Sequence, residues 1–205
     1  MKRKLRLNNG FTINSPTNFR SRPTSSIVRE AILNITAHNI VGSSWLDVFG
    51  GIGALSCEVL HFGAIRLLTI EKNFKTFKIC KSNINEIIQK MNYNDRQLMV
   101  KVLYNDSLDI LSKKPKPFSN LDEEFRKYQK NVFDYVFIDP PYELDNLVGL
   151  VLKKISSNNW LVSKGKIIVE FSKRKKPNIN YLDWSIESER YYGDTGLMVL
   201  TPNQS

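Results

Sequence analysis

A chain of 205 residues with 41% hydrophobic and 11% aromatic residues is long enough to bury the core of one domain, and this composition argues against wholesale disorder. A formal net charge of +10 and an isoelectric point near 9.6 favour a polyanionic partner, nucleic acid first among them, over a merely lysine-rich surface. No apolar run approaches the ~18 residues of a membrane span, and the basic start Met1 to Arg6 leads into Leu7-Asn8-Asn9-Gly10 rather than an apolar stretch, so neither insertion nor export is expected.

Residues 1–24 are basic and turn-rich. Seven of the first 30 residues are Lys or Arg (Lys2, Arg3, Lys4, Arg6, Arg20, Arg22, Arg29) against one acid, Glu30. Leu5, Leu7, Phe11 and Ile13 alternate with polar residues around Asn9-Gly10, a hairpin signal, so this segment reads as a small β appendage suited to a phosphate backbone, with a frayed basic tail as the competing reading. Ser25 or Ser26 caps a helix whose Val28, Ala31, Ile32 and Ile35 keep helical spacing, and Arg22-Pro23-Thr24 gives it a rigid entry.

Ser44 to Phe49 reads as a short buried strand, followed by Gly50-Gly51-Ile52-Gly53 and a helix from Ala54 to about Phe62 that Gly63 ends. Strand, glycine turn and helix form a nucleotide-binding βα unit. Arg66 to Ile70 gives a second strand ending in Glu71, where an acid suits a ribose or a solvated strand end. The next helix carries Phe77, Cys80, Ile84, Ile87, Ile88 and Met91 on one stripe, which reads as core. Met99 to Leu103 makes a third strand, leading to Asn105-Asp106-Ser107 and a short helix through Leu111.

The segment 113–130 holds Pro115 and Pro117, six basic residues and three acids, and reads as a polar insertion. Beyond it come the strand Phe133 to Ile138, a helix from about Leu144 to Ser156, the strand Lys166 to Phe171, the basic run Lys173 to Lys176, and a closing hairpin of Trp184 to Tyr191 and Thr195 to Leu200. This alternation implies an α/β fold of Rossmann-like type, a mostly parallel sheet with helices on both faces and a C-terminal antiparallel hairpin. Cys57 and Cys80 read as reduced thiols, and His38 and His61 complete no ligand pattern, so no metal is expected.

Asp139-Pro140-Pro141-Tyr142 carries the chemistry. Two prolines can neither continue a strand nor lie inside a helix, so the chain leaves the sheet in a stiff conformation. A carboxylate, a proline carbonyl and an aromatic ring thereby gather at a strand's carboxyl end, where open α/β sheets bind ligands. A glycine turn followed by Glu71 also describes a nicotinamide-binding protein, whose fingerprint wants a small residue where Ser56 stands. Hydride transfer has no use for the Asp139 motif, and that separates the two readings.

Asp47-x-Phe49-x-Gly51-x-Gly53 together with Asp139-Pro140-Pro141-Tyr142 resembles the S-adenosylmethionine-dependent methyltransferases. More narrowly the chain is similar to the RsmD family, which methylates the exocyclic amine of a guanine in bacterial 16S rRNA. Arg22 to Ser25, Val28 to Ala31, Leu46 to Leu55, Ile70 to Lys72, Asn105-Asp106 and Arg190 to Thr195 carry the likeness. Gly50 and Ile52 stand where the family more often has Ala and Ser, and 113–130 is longer than its usual connection.

The resemblance implies a class I methyltransferase domain over residues 25–205 with the insertion 113–130, S-adenosylmethionine as cofactor, and 16S rRNA or the small ribosomal subunit as partner. A monomer in the cytoplasm of a bacterium, or in a plastid, is expected. Asp47, Phe49, Gly51, Gly53, Glu71, Lys72, Asp106, Ser107 and Asp139 would hold the cofactor. Asp47 would fix its amino group, Glu71 its ribose and Asp106 its adenine amine.

Asp139 and the Pro140 carbonyl would accept from the guanine amine while Tyr142 stacks on the base, so that positioning alone, worth up to ~7 to 11 kcal/mol, replaces any metal or covalent nucleophile. Arg3, Arg20, Arg22, Thr24, Pro141, Tyr142, Lys173 and Arg174 would meet an extruded base and its RNA, although a solvated face is the bland reading for any one lysine. Two alternatives stay open: amine methylation of DNA adenine or protein glutamine, and a catalytically silent RNA-binding assembly protein on the same scaffold.

Overall fold

The computed structural model describes residues 3–16, 24–91, 98–115, 133–141, 146–180 and 182–203. Arg20, Arg22, Tyr142 and residues 116–130 of the expected insertion lie outside the described residues. The elements run β1 (Arg3–Arg6), β2 (Thr12–Ser15), α1 (Ser26–Thr36), β3 (Ser44–Asp47), α2 (Ala54–His61), β4 (Arg66–Glu71), α3 (Phe74–Lys90), β5 (Met99–Tyr104), α4 (Ser107–Leu111), β6 (Phe133–Ile138), α5 (Leu147–Asn158), β7 (Leu161–Ser172), β8 (Trp184–Tyr192) and β9 (Thr195–Pro202).

Seven strands form one sheet in the order β5-β4-β3-β6-β7-β9-β8. The first five are parallel and β9 runs antiparallel between β7 and β8. The expected mostly parallel sheet with a C-terminal hairpin is therefore present, and the hairpin joins the sheet through its second strand, leaving β8 at the edge. β7 starts earlier than the expected Lys166. Leu161 pairs with Phe133 and the register then shifts, so that Tyr135 meets Lys166. Gly165 sits in that irregularity, where a Cβ would come within 2.6 Å of the Leu161 side chain and 3.0 Å of the Asp134 carbonyl oxygen.

Helices cover both faces, which is why the central strands read as unbroken apolar runs. On one face Val28, Ile32, Trp45, Leu60, Ile84 and Ile87 pack with Tyr135, Phe137 and Ile168, and Trp45 stacks on Tyr135 with ring centres 4.6 Å apart. On the other, Val136, Ile138, Val151, Ile155, Trp160 and Val169 pack together. Burying each such aliphatic side chain contributes about 1.5–3 kcal/mol.

The N-terminal pair β1–β2 is antiparallel with Leu5 opposite Ile13. Gly10 takes the left-handed conformation its turn requires. Leu7 and Ile13 are buried in the same cluster as Trp45 and α1, so the hairpin's apolar residues close one face of the sheet. Arg29 and Glu58 bind it there. Both are buried, with Arg29 Nε 2.9 Å from Glu58 Oε1. The Asn8 N–H donates to Glu58 Oε1 (2.9 Å), Asn8 Nδ2 donates to Glu58 Oε2 (3.2 Å), and Arg29 Nη2 donates to the Arg6 carbonyl (3.2 Å).

Candidate active site

β3 pairs with β4 on one side and β6 on the other, and the helices that follow β3 and β6, α2 and α5, pack on opposite faces. Such a reversal opens a crevice at the carboxyl ends of the strands, where ligands of α/β sheets bind. Asp47, Glu71, Asp106 and Asp139 all stand at or just beyond the ends of β3, β4, β5 and β6.

The glycine turn is fixed from β4. The Gly50 N–H donates to the Ile70 carbonyl (2.8 Å), and a Cβ at position 50 would lie 2.2 Å from Thr69 Cγ2. Gly51 and Gly53 have φ of 51° and 79°, a region that penalises any side chain. The Gly51 N–H donates to Glu71 Oε2 (2.9 Å) and the Asn73 N–H to Glu71 Oε1 (2.6 Å), so Glu71 shapes the loop that faces it. Burial pushes the Glu71 carboxyl up, and these backbone donors oppose the shift.

Asp47 is buried at the end of β3. Its Oδ2 accepts from Ser56 Oγ (2.7 Å), which also lies 2.9 Å from Thr69 Oγ1. Its Oδ1 is buried with no hydrogen-bond partner among the described residues. Burial pushes the carboxyl up to about 6; the Ser56 hydrogen bond opposes the shift, the charge of Glu71 adds to it, and the Phe49 backbone N–H opposes it further. A buried carboxylate oxygen without a donor is costly, so a ligand that brought one would be stabilised there.

Beyond β5, Asp106 caps α4, its Oδ1 accepting from the Leu108 N–H (2.8 Å). Lys72 Nζ is 3.9 Å from Asp106 Oδ2, an exposed pair that adds little stability. Phe49, Lys72, Asp106, Ser107 and Leu108 line a cavity of about 300 Å³ together with Asn146. Four of the sequence-predicted cofactor residues thus share one wall.

Asp139 follows β6. Thr24 Oγ1 donates to its Oδ2 (3.2 Å). Burial pushes this carboxyl well above the usual range; the charge of Glu170 adds to the shift, the Thr24 hydroxyl opposes it, and Asp47 adds a further increment. Pro140 and Pro141 border a second cavity of about 430 Å³, whose other side is the end of β7 and the segment from Lys175 to Asn178. Arg3 is exposed on β1, whereas Lys173 and Arg174 are exposed after β7, so the predicted RNA contacts lie on separate elements. Lys173 Nζ sits 5.6 Å from the centre of the Tyr191 ring.

Sequence reasoning passed over Glu170, buried on β7 beside Asp139. The available signal was a lone carboxylate inside Ile167-Ile168-Val169-Glu170-Phe171. It also passed over Ser56 as the partner of Asp47, reading it only as a small residue. Among the described residues no cluster of His, Cys, Asp and Glu could hold a metal ion, and no helix is long and apolar enough to cross a membrane.

The family profile described as conserved hypothetical protein 95 matches residues 8–201. An uncharacterised methylase of Rickettsia prowazekii is 30% identical over 220 residues, covering 89% of this chain and 89% of its own. The ribosomal RNA small subunit methyltransferase D of Haemophilus influenzae is 29% identical over 172 residues, covering 84% of this chain and 78% of its own. A solved structure from Escherichia coli, provisionally described as a methyltransferase, superposes with a TM-score of 0.75 at 23% identity over 98% of this chain and 99% of its own, a likeness of fold.

Proposed function

The chain belongs to the conserved hypothetical protein 95 family, that of the RsmD-type methyltransferases, and on that premise we propose that it methylates the exocyclic N2 amine of a guanine in small-subunit rRNA. The observation that carries the reading is Asp139, held at the carboxyl end of β6 with Pro140 beside it, in the same crevice as the unpartnered Oδ1 of Asp47.

The residues present fit S-adenosylmethionine. Asp47 Oδ1 lacks the donor that an ammonium brings. Gly51 and Gly53 keep side chains out of the turn. Each Glu71 oxygen accepts one backbone N–H and retains a lone pair for a ribose hydroxyl. Asp106, with Phe49, Lys72 and Ser107 around the 300 Å³ cavity, suits the adenine. Bound there, S-adenosylmethionine supplies an electrophilic methyl group.

The protein's own part is positioning. A guanine amine is a weak nucleophile because its lone pair is delocalised into the ring. Ionised Asp139 and the Pro140 carbonyl accept its two N–H groups and turn the lone pair outward, with Tyr142 stacking on the base. The base must leave its stack to reach them, and the basic hairpin with Arg3 and the Lys173–Arg174 turn would hold the surrounding RNA. A 16S rRNA or small-subunit partner, a monomeric enzyme, a cytoplasmic setting, and a division into an N-terminal RNA-contacting segment (1–24) and a catalytic domain (25–205) complete the proposal.

Small subunits from a strain lacking this gene, incubated with the protein and S-adenosylmethionine carrying a tritiated methyl group, should yield labelled N2-methylguanosine on nucleoside analysis. Asp139→Ala should lower the rate by about 10²–10⁴-fold, the span of a catalytic proton acceptor or a positioned electrostatic partner, while cofactor binding persists. Label in methyladenosine or in ribosomal protein would overturn the guanine assignment. Absence of S-adenosylmethionine binding would overturn the enzyme.

A further inference from the structure

We infer that Thr24 is a positioning residue for Asp139, and that the buried Arg29–Glu58 pair locks it in that role through the N-terminal hairpin. The inference rests on the catalytic part given to Asp139 above and reassigns Thr24, which sequence reasoning placed among the RNA contacts.

The prolines after Asp139 fix its backbone but leave its carboxylate plane free, because the terminal torsion of an aspartate is broad and two-fold. A carboxylate that must present one oxygen to an amine therefore needs a second anchor. Thr24 provides it, donating from Oγ1 to Oδ2 at 3.2 Å. That hydroxyl also favours the ionised form against three opposing influences: burial, the charge of Glu170 on β7 and that of Asp47 on β3.

Thr24 is itself pinned. Arg29 Nη1 donates to its carbonyl oxygen (2.5 Å), Nε to Glu58 (2.9 Å) and Nη2 to the Arg6 carbonyl (3.2 Å). The planar guanidinium thus makes three bonds in directions that leave it one orientation. Glu58 takes Asn8 on both oxygens. Ser25, the next residue, caps α1 by accepting from the Val28 N–H (3.3 Å). An unbroken set of contacts therefore runs from the hairpin to the carboxylate, and the residue at its end touches Asp139 rather than facing outward for RNA.

Thr24→Val keeps the shape and removes the hydroxyl, Thr24→Ser restores it, and Asp139→Asn is the comparator. All three are assayed for methyl transfer to small subunits across the pH range in which the carboxyl titrates. Thr24→Val should lower kcat about tenfold, the scale of one charge-assisted hydrogen bond. Its acid limb should move to higher pH, while KM for the subunit, cofactor affinity and the thermal midpoint stay as in the parent; Thr24→Ser should recover most of the rate.

A Thr24→Val enzyme with the parental kcat and pH profile, or one whose loss lies wholly in KM for the subunit, overturns the inference and leaves Asp139 in place. An Asp139→Asn enzyme at full rate overturns the catalytic reading itself and the inference with it.

Discussion

The carboxylates of this protein fall into two regions that treat charge in opposite ways. In the wall formed by α2 under the N-terminal hairpin and by the end of β4, Glu58 and Glu71 have donors on both oxygens: Arg29 and Asn8 for the first, Gly51 and Asn73 N–H groups for the second. On the floor, Asp47 has Oδ2 bound to Ser56 and Oδ1 with no hydrogen-bond partner among the described residues, and Asp139 is held by Thr24 on Oδ2 beneath the added charge of Glu170. The wall acids hold loops in shape. Burial raises the Glu71 carboxyl as well as those of Asp47 and Asp139. Glu71, however, has a backbone donor on each oxygen to oppose the shift, whereas the floor acids would gain most from an arriving cation or donor.

The largest effect should come from breaking the wall. Arg29→Met leaves Glu58 buried without its partner and should cost about 3–5 kcal/mol of stability, visible in thermal or denaturant unfolding. An Arg29→Met protein as stable as the parent would erase the distinction between the regions.

The floor should behave in reverse. Asp47 binds its proton more tightly folded than unfolded, its carboxyl rising from 3.8 to about 6, so the ligand-free protein loses stability from this group as pH climbs between those values. At 1.36 kcal/mol per pH unit the loss amounts to about 3 kcal/mol. Unfolding of the parent and of Asp47→Asn, compared over that interval, should show this slope only in the parent. S-adenosylmethionine affinity should fall below about pH 6, where protonation removes the charge that meets its ammonium, and Asp47→Asn should weaken binding at least tenfold by calorimetry, about the worth of one lost charged hydrogen bond.

Glu71→Gln probes the border between the regions, because an amide can accept on one atom only. One of the Gly51 and Asn73 N–H groups would be orphaned, at about 1–3 kcal/mol, with cofactor affinity falling in parallel. The smallest change should follow Ser56→Ala, which removes one donor from Asp47 and should cost about 1 kcal/mol while moving the pH dependence of cofactor binding upward.

Much of the architecture was legible because it rests on local signals. The run Phe133 to Ile138, the Gly51 and Gly53 positions and the Ser25 cap each depend on residues within a few positions of one another, and each appears where the pattern places it. The strand order was harder. Nothing within Trp184 to Leu200 says that β9 rather than β8 pairs with β7, since that choice is made by long-range burial of Leu197, Met198 and Val199.

The site divides in the same way. Asp47, Glu71, Asp106 and Asp139 were readable as acids at strand ends. Glu170 was hidden by distance along the chain, and so was the Thr24 contact to Asp139, which bridges 115 positions. Gly50 has its explanation on the neighbouring strand: the Thr69 methyl fills the space where a Cβ would go.

Asn83 of α3, fully buried, has one further consequence. Its side chain accepts the Asn14 N–H and donates to both the Asn14 carbonyl and the Ile52 carbonyl, satisfying β2 and the cofactor turn with a single amide. No other side chain of that size offers an acceptor and two donors in that arrangement. Lifting β2 off α3 would strand the Asn83 amide and take its hydrogen bond from the turn at Ile52. In native-state hydrogen exchange the amides of β2 and of the Gly50–Gly53 turn should therefore open as one unit, and a ligand held against that turn should slow exchange in β2.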